Sequence, residues 1–470
     1  MIGLGAWNWA EILHFLVWFS FALVICNIAY SLFLLGLSLR RPKPRVAGAG
    51  TARDDWKVVF VVPCLNEAQV IGASIDRLLA LDEESTILVV DDGSDDGTAG
   101  VVVSYDTPRV QLLRRMPPDC RRGKGEAINA AFAHLVTSQL LEGHDPRRVL
   151  VAILDADGRL EPHTLEHVLP MFDDPAVGGV QIGVRINNRH VSRLARMQDF
   201  EFVLFTDIFQ KARRRLGSVG MGGNGQFMRL AALMSLGPKP WSRSLTEDLD
   251  LGLRLILQGW TTDYCPTTAV HQQGVVDFGR LVRQRTRWFQ GHLQSWALLP
   301  LVSKHRRASA RRDLQYHVTS PLLLLLASLL TLSFLIGSVG LAVDAYLGIP
   351  ALGWWLLGVY LLSFGPTVLF SQVYHARARG EGVGRLRAAL WGHVYVAYCL
   401  MWHIAGWRAV WRSMAGDTSW AKTQREVETA ESTLPSGVTV GRAVGGSHSA
   451  DARRTVSRAR SGASRAREES

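Results

Sequence analysis

Cysteine is scarce in this chain, with 5 in 470 residues (Cys26, Cys64, Cys120, Cys265 and Cys399) and no CxxC pair among them. That excludes a disulfide-stapled scaffold and a zinc ribbon, and leaves isolated reduced thiols. The full phosphate-loop spacing GxxxxGK[ST] is also missing; its nearest string, Gly123-Lys124-Gly125, falls short, which argues against a nucleoside triphosphatase. No internal repeat is visible. Charged residues are only 20% of the chain, mean hydropathy is +0.10 and 15 residues are tryptophan. These values suit a chain lying partly in lipid and partly in water. The charge that is present is lopsided, 52 basic against 41 acidic. The basic residues cluster beside apolar runs (Arg40–Arg45, Arg306–Arg312, Arg377–Arg387). That placement fits a membrane's cytoplasmic face and anionic headgroups rather than nucleic acid.

What is there begins with an apolar run, Ile12–Leu39, too long for a signal peptide core and long enough to span a bilayer. Arg40–Arg45 follow at once, so the N-terminus is expected outside and the chain from residue 45 onward inside. Residues 54–275 then alternate short β-branched runs (Val58–Val62, Thr86–Val90, Val149–Leu154, Val177–Ile186) with helical patterns (Glu67–Leu81, Gly97–Tyr105, Lys124–Leu141). This is the pattern of an α/β domain with a mostly parallel sheet covered by helices on both faces. Ligands bind such sheets beyond the carboxyl ends of the strands. The stretch His190–Leu216 mixes arginines with Phe200, Phe202, Phe205 and Phe209, as either an interfacial helix or a core helix would.

A segment at 276–312 leads to two further expected spans, 319–343 and 352–374. Residues 388–412 are long enough to cross but carry arginines at both ends and four tryptophans, so crossing and lying in the interface both stay open. From 426 to 470 the chain is Ser, Arg, Gly and Ala with almost no aromatics, a composition expected to be disordered.

Acidic motifs sit at the predicted strand ends. Asp155-Ala156-Asp157 follows an apolar strand, and two carboxylates two residues apart can approach one hard cation, Mg²⁺ or Mn²⁺, whose shell phosphate oxygens complete. Asp91-Asp92-Gly93-Ser94 reads as a strand-ending turn, or as carboxylates set against a nucleoside. Lys124 opens a helix after a glycine, where an anion would be welcome. Thr246-Glu247-Asp248 reads as an N-cap threonine with acids on the first helical turn, and equally as a source of a general base. Gln284-Arg285-Thr286-Arg287-Trp288 lies in a helix-compatible stretch near the membrane, where arginine can clamp a diphosphate and tryptophan can stack on a sugar, or both can anchor an interfacial helix.

In this order the motifs VVPCLNE, VVDDGSDDGT, RGKGEAINAA, LDADG, LTEDLDLGLRL and QRTRW resemble those of the membrane-embedded family-2 glycosyltransferases, the cellulose, chitin, hyaluronan and poly-N-acetylglucosamine synthases. The resemblance covers roughly Trp56 to Trp296 and implies a GT-A-type cytoplasmic domain flanked by transmembrane helices. It implies inverting transfer from a UDP-sugar. Pro63, Glu67, Asp91, Asp92, Lys124 and Asp155 fall at nucleotide-sugar positions, Asp157 with Asp155 at the metal, Asp248 at the catalytic base, and Gln284, Arg287 and Trp288 in the QxxRW box. Asn224 and Gln226 fall in the acceptor loop Gly222–Arg229, where Met228 separates the usual aromatic–arginine pair. QRTRWFQG and Trp420-Ala421-Lys422-Thr423 look most like the poly-N-acetylglucosamine branch. The expected activity is elongation of a β-linked polysaccharide at the inner membrane, the alternatives being single transfer to a lipid or, least favoured, a silent scaffold. With so few expected spans, a partner membrane subunit stays open, and no cyclic-nucleotide sensor module is visible.

Overall fold

The computed structural model describes residues 9–40, 53–348 and 352–417. The expected tail at 426–470, the string Trp420–Thr423 and the basic residues Arg41–Arg45 lie outside the described residues.

Eight strands form one mixed sheet: β1 (Lys57–Cys64), β2 (Thr86–Asp91), β3 (Val110–Arg114), β4 (Val149–Ile153), β5 (Arg159–Leu160), β6 (Val177–Ile186), β7 (Gln226–Arg229) and β8 (Thr261–Gln272). Their order is β3-β2-β1-β4-β7-β6-β8-β5. The first four pair in parallel, β7 runs antiparallel between β4 and β6, and β8 is parallel to β6. The chain leaves β1 toward β2 on one side and returns to β4 on the other. The crevice at the carboxyl ends of β1 and β4 is therefore the switch point where α/β sheets hold ligands.

Side chains alternate along β1: Val58, Phe60 and Val62 enter one core, and Val59 and Val61 the other. On the first face lie α2 (Ala68–Leu81), α3 (Thr98–Val103) and α5 (Thr164–Val168). On the second lie α4 (Lys124–Thr137), α8 (Leu230–Met234) and α9 (Glu247–Leu257). The α/β expectation holds, with α3 shorter than the Gly97–Tyr105 pattern suggested.

The remaining helices form a second layer: α1 (Trp9–Leu39), α6 (Arg193–Leu204), α7 (Lys211–Leu216), α10 (Phe278–Gln294), α11 (Leu299–Val302), α12 (Ala308–Tyr346), α13 (Leu352–Ala378) and α14 (Arg385–Met414). A π-helical turn, Phe205–Gln210, joins α6 to α7. Met197, Phe200, Val203, Leu204 and Ile208 are buried against α13 and α14, so the stretch His190–Leu216 is a core element. Among the described residues one segment, Ala22–Leu39, is apolar and long enough to cross a membrane. Helix α14 is one-sided. Ala388, Gly392, Tyr398, Met401, Ala405 and Ala409 are buried, while Leu386, Leu390, Val394, Ile404, Trp407 and Trp411 are exposed. All five cysteines are free thiols.

Candidate active site

The crevice gathers its chemistry from turns at four strand ends. Pro63 is the penultimate residue of β1, opposite Val90. Beyond it the Glu67 carbonyl accepts the amides of Val70 and Ile71 at 3.0 Å each, opening α2, and the Glu67 amide donates to Thr98 Oγ1 at 2.8 Å. Asp91 closes β2, fully buried, with Oδ1 accepting the Ser94 amide at 2.9 Å and Oδ2 3.3 Å from Arg114. This is the turn role that the motif allowed. Asp92 is buried against Arg115; burial raises its pKa while Arg115 pulls the other way.

Lys124, first residue of α4, is the hub. Its Nζ donates to Asp155 Oδ1 at 2.6 Å and to the Gly223 carbonyl at 2.7 Å. Burial opposes its charge, but Asp155 and then Glu247 outweigh burial and raise its pKa. The loop that supplies Gly223 is fastened from below. Gln181 of β6 accepts the Gly222 amide at 2.8 Å and donates to the Asn224 carbonyl at 2.9 Å. Asn224 Oδ1 accepts the Asp155 amide at 3.1 Å, and its Nδ2 donates to Gln272 at 2.9 Å, so this residue braces the Asp155 turn. A Cβ on Gly223 would stand 3.1 Å from Asp248 Oδ2 and 3.3 Å from Lys124 Nζ, so a larger residue would press between the Asp248 carboxylate and the Lys124 ammonium. Gln226 corrects the acceptor-loop expectation. It is the first residue of β7, in register with Ile153 and Gln181, and fully buried, because the loop ends at Gly225.

Glu247 and Asp248 begin α9. Thr246 precedes them, but its hydroxyl makes no cap, contrary to expectation. Helix α10 crosses too closely: a Cβ on Gly291 would lie 2.5 Å from Thr246 Oγ1. Asp248 Oδ1 instead accepts the Leu249 amide at 2.8 Å. Burial raises the Asp248 pKa, against the pull of that amide, Lys124 and Arg287. Burial and then the adjacent Asp248 push Glu247 up to about 7. A half-buried carboxylate with a raised pKa, next to a cation, suits a proton acceptor.

Arg287 donates to the Leu245 carbonyl at 3.2 Å, and its charge reaches both acids of α9. Gln284 Oε1 accepts from Arg285 at 2.9 Å. Arg285 is fully buried, its guanidinium 3.9 Å above the Trp288 ring, so one face of that indole is covered from within the protein. Glu201 of α6 anchors the stack, taking Arg285 at 2.6 Å, Tyr398 at 2.7 Å and Trp402 at 2.8 Å. Sequence reasoning passed over Glu201 and Gln181, and did not foresee that Arg285 would be buried against Trp288. The available signals were a polar residue in the apolar strand Val177–Ile186 and an acid inside the aromatic run of α6.

Asp155 is about a quarter exposed at its side chain; Asp157 is buried, with Oδ2 accepting the Gln273 amide at 2.9 Å. An all-oxygen pair of this kind fits a hard cation that keeps water and phosphate oxygens as its other ligands. Among the described residues no group of three or more His, Cys, Asp or Glu comes together for a metal.

A parallel switch point, acids on the strand-end turns and a loop closing over them define a GT-A-type glycosyltransferase. Residues 56–291 match the family described as glycosyltransferase like family 2, and the chain belongs to that family. It is 30% identical over 303 residues to a beta-monoglucosyldiacylglycerol synthase of Synechocystis sp., covering 62% of this chain and 60% of that protein. It is 26% identical over 238 residues to a poly-beta-1,6-N-acetyl-D-glucosamine synthase of Staphylococcus aureus, covering 50% and 54%. The chain thus spans between half and two thirds of these relatives' length. A mannosyltransferase from Pyrobaculum calidifontis, solved with GDP-mannose and Mn²⁺, shares the fold with a TM-score of 0.56 at 19% identity, over 85% of this chain and 99% of that one.

Proposed function

We propose that the protein moves a hexose from a UDP-sugar, with inversion, to the hydroxyl of a lipid acceptor at the inner face of a membrane. The observation that carries this reading is the meeting of Lys124, Asp155, the Gly223 loop and Asp248 at the sheet's switch point. Asp248 takes the proton of the acceptor hydroxyl as its oxygen attacks the anomeric carbon and UDP departs. Lys124 and Arg287 offset the negative charge that gathers on the leaving diphosphate. Pro63, Glu67, Asp91 and Asp92 form the nucleoside side. Asp155 and Asp157 would hold Mg²⁺ or Mn²⁺, which when bound supplies further charge neutralisation at the diphosphate.

One observation supports lipid over polymer: the glucosyldiacylglycerol synthase match is the longer and the more identical of the two reported. The polymer reading keeps the QRTRW string and the poly-N-acetylglucosamine synthase match in its favour. We read α1, α12 and α13 as membrane spans. Helix α14 is read as interfacial, because Tyr398 and Trp402 at its middle bond Glu201 of α6 while its other face is bare apolar surface.

The test is a panel of radiolabelled UDP-glucose, UDP-N-acetylglucosamine and UDP-glucuronate on membranes containing the protein, with Mg²⁺ or Mn²⁺. Label from one donor in the organic extract is the expected result. Label confined to water-soluble material of high molecular weight would replace the lipid acceptor with a growing polysaccharide.

A further inference from the structure

Beside the catalytic crevice, between α7, α10 and α12, lies a second polar cluster that the transfer chemistry leaves unused. Arg213 is 2% exposed. Its Nε donates to Asp313 Oδ2 at 3.0 Å, its Nη2 to His317 Nδ1 at 2.8 Å, and its buried Nη1 makes no hydrogen bond among the described residues. Asp313, fully buried, also takes Ser218 Oγ at 2.6 Å on Oδ2 and Tyr30 at 2.7 Å on Oδ1. Both of its oxygens are therefore occupied.

A guanidinium can only donate, so His317 Nδ1 must be a bare acceptor. His317 is then neutral, with its proton on Nε2. That nitrogen faces Gly220, 4.0 Å from where a Cβ would stand. Gln210 holds Gly220 at both backbone groups, donating to its carbonyl at 2.6 Å and accepting its amide at 3.2 Å. His292 meets the His317 ring edge-on at 5.2 Å. Burial, with Arg213 adding to it, pulls His292 down to about 4, so it too is neutral at physiological pH. The cluster thus has donors in excess, Arg213 Nη1 and His317 Nε2–H, and no net charge, since Asp313 matches Arg213.

Its position is what gives it a use. Gly220 stands three residues before Gly223, which touches Asp248, and three residues reach at most roughly 10 Å. On the other side, Tyr30 belongs to Ala22–Leu39, the segment apolar enough to cross a membrane. The cluster therefore lies between lipid and the proton acceptor, with His292, His317 and Gly220 only half-buried.

We infer that Arg213 and His317 form the seat for an uncharged, oxygen-bearing lipid headgroup, binding the ester carbonyls beside the hydroxyl that Asp248 deprotonates. This rests on the lipid-acceptor reading and narrows it to neutral acceptors such as diacylglycerol, because a phosphate would bring charge to a site whose cation is already matched.

The test uses the full-length protein in mixed micelles with UDP-sugar and diacylglycerol. His317→Leu is expected to raise the KM for diacylglycerol about tenfold, the effect of one lost hydrogen bond. It should leave UDP affinity and slow hydrolysis of the donor unchanged, and His317→Gln, which restores an N–H donor, should recover most of the acceptor affinity. An unchanged acceptor KM in His317→Leu overturns the seat. The unsubstituted enzyme supplies the second measurement, independent of how the variants fold. Excess phosphatidate should compete weakly with diacylglycerol, and competition as strong as diacylglycerol's own would overturn the neutral-headgroup assignment. Absence of any lipid product from the unsubstituted enzyme would sink the lipid-acceptor reading itself, a distinct result from lipid transfer that ignores His317.

Discussion

The catalytic crevice and the helical layer beside it treat buried charge in opposite ways. In the helical layer and where it meets the sheet, the buried arginines have an acid within contact: Arg185 of β6 with Asp199 at 2.9 Å, Arg213 of α7 with Asp313 at 3.0 Å and Arg285 of α10 with Glu201 at 2.6 Å. Glu381 adds a shared acid for Arg185, Arg189 and Arg196, and its pKa falls to about 2 because the arginines, Arg189 foremost, outweigh burial. In the crevice, two adjacent acids of α9 and a third at Asp155 share Lys124 and Arg287, and burial leaves the α9 pair with raised pKa values. The helical layer is electrostatically closed and holds shape. The crevice keeps acids with raised pKa values, as proton-transfer sites often do.

Breaking the crevice at its base has the largest expected effect. Asp248→Asn should lower kcat by about 10³-fold, as for loss of a general base, while calorimetry finds UDP affinity within a few-fold of the starting protein. Loss of UDP binding in parallel would assign Asp248 to the donor instead. In the closed layer, Glu201→Ala leaves Arg285 buried without its acid. It should cost about 3–5 kcal/mol in denaturant unfolding, and adding Arg285→Met should recover much of that loss. A full-sized loss in the double variant would mean that packing, not charge pairing, dominates there.

Smaller in expectation is Gly223→Ala, which wedges a methyl between Asp248 and Lys124. Activity should fall roughly 10- to 100-fold, with the thermal midpoint nearly unchanged. The smallest and sharpest test is pH. In its proposed role as proton acceptor Asp248 must be ionised, and its pKa is raised, so kcat/KM should climb with pH on a limb lying above the ordinary carboxylate range. Arg287 favours the ionised form of Asp248, so Arg287→Gln should move that limb to higher pH. A limb that stays put would uncouple the two groups.

Much of the crevice was legible because its parts are local. Asp91 and Asp155 could be placed because a β-branched run followed by Asp and Gly ends a strand wherever it occurs, and ligand sites lie at such ends. Lys124 was found at its helix start for the same reason, but its partner at Gly223 is 99 positions away and no periodicity announces it. Thr246 misled because local capping rules cannot see that Gly291 crosses there. Gln226 misled because a glycine-rich string does not show where the loop stops and β7 begins.

The sequence by itself determined the strand-and-acid-turn units, their order and the one-sided apolar helices, since each follows from nearest-neighbour sterics and a hydrophobic period. Only the tertiary structure decided that Arg285 would cover Trp288, that Glu201 would hold α14 to α10, and that Arg213 would fix the proton of His317. Those choices depend on which charges are buried together, and desolvation depends on the whole packed layer, not on any stretch of chain.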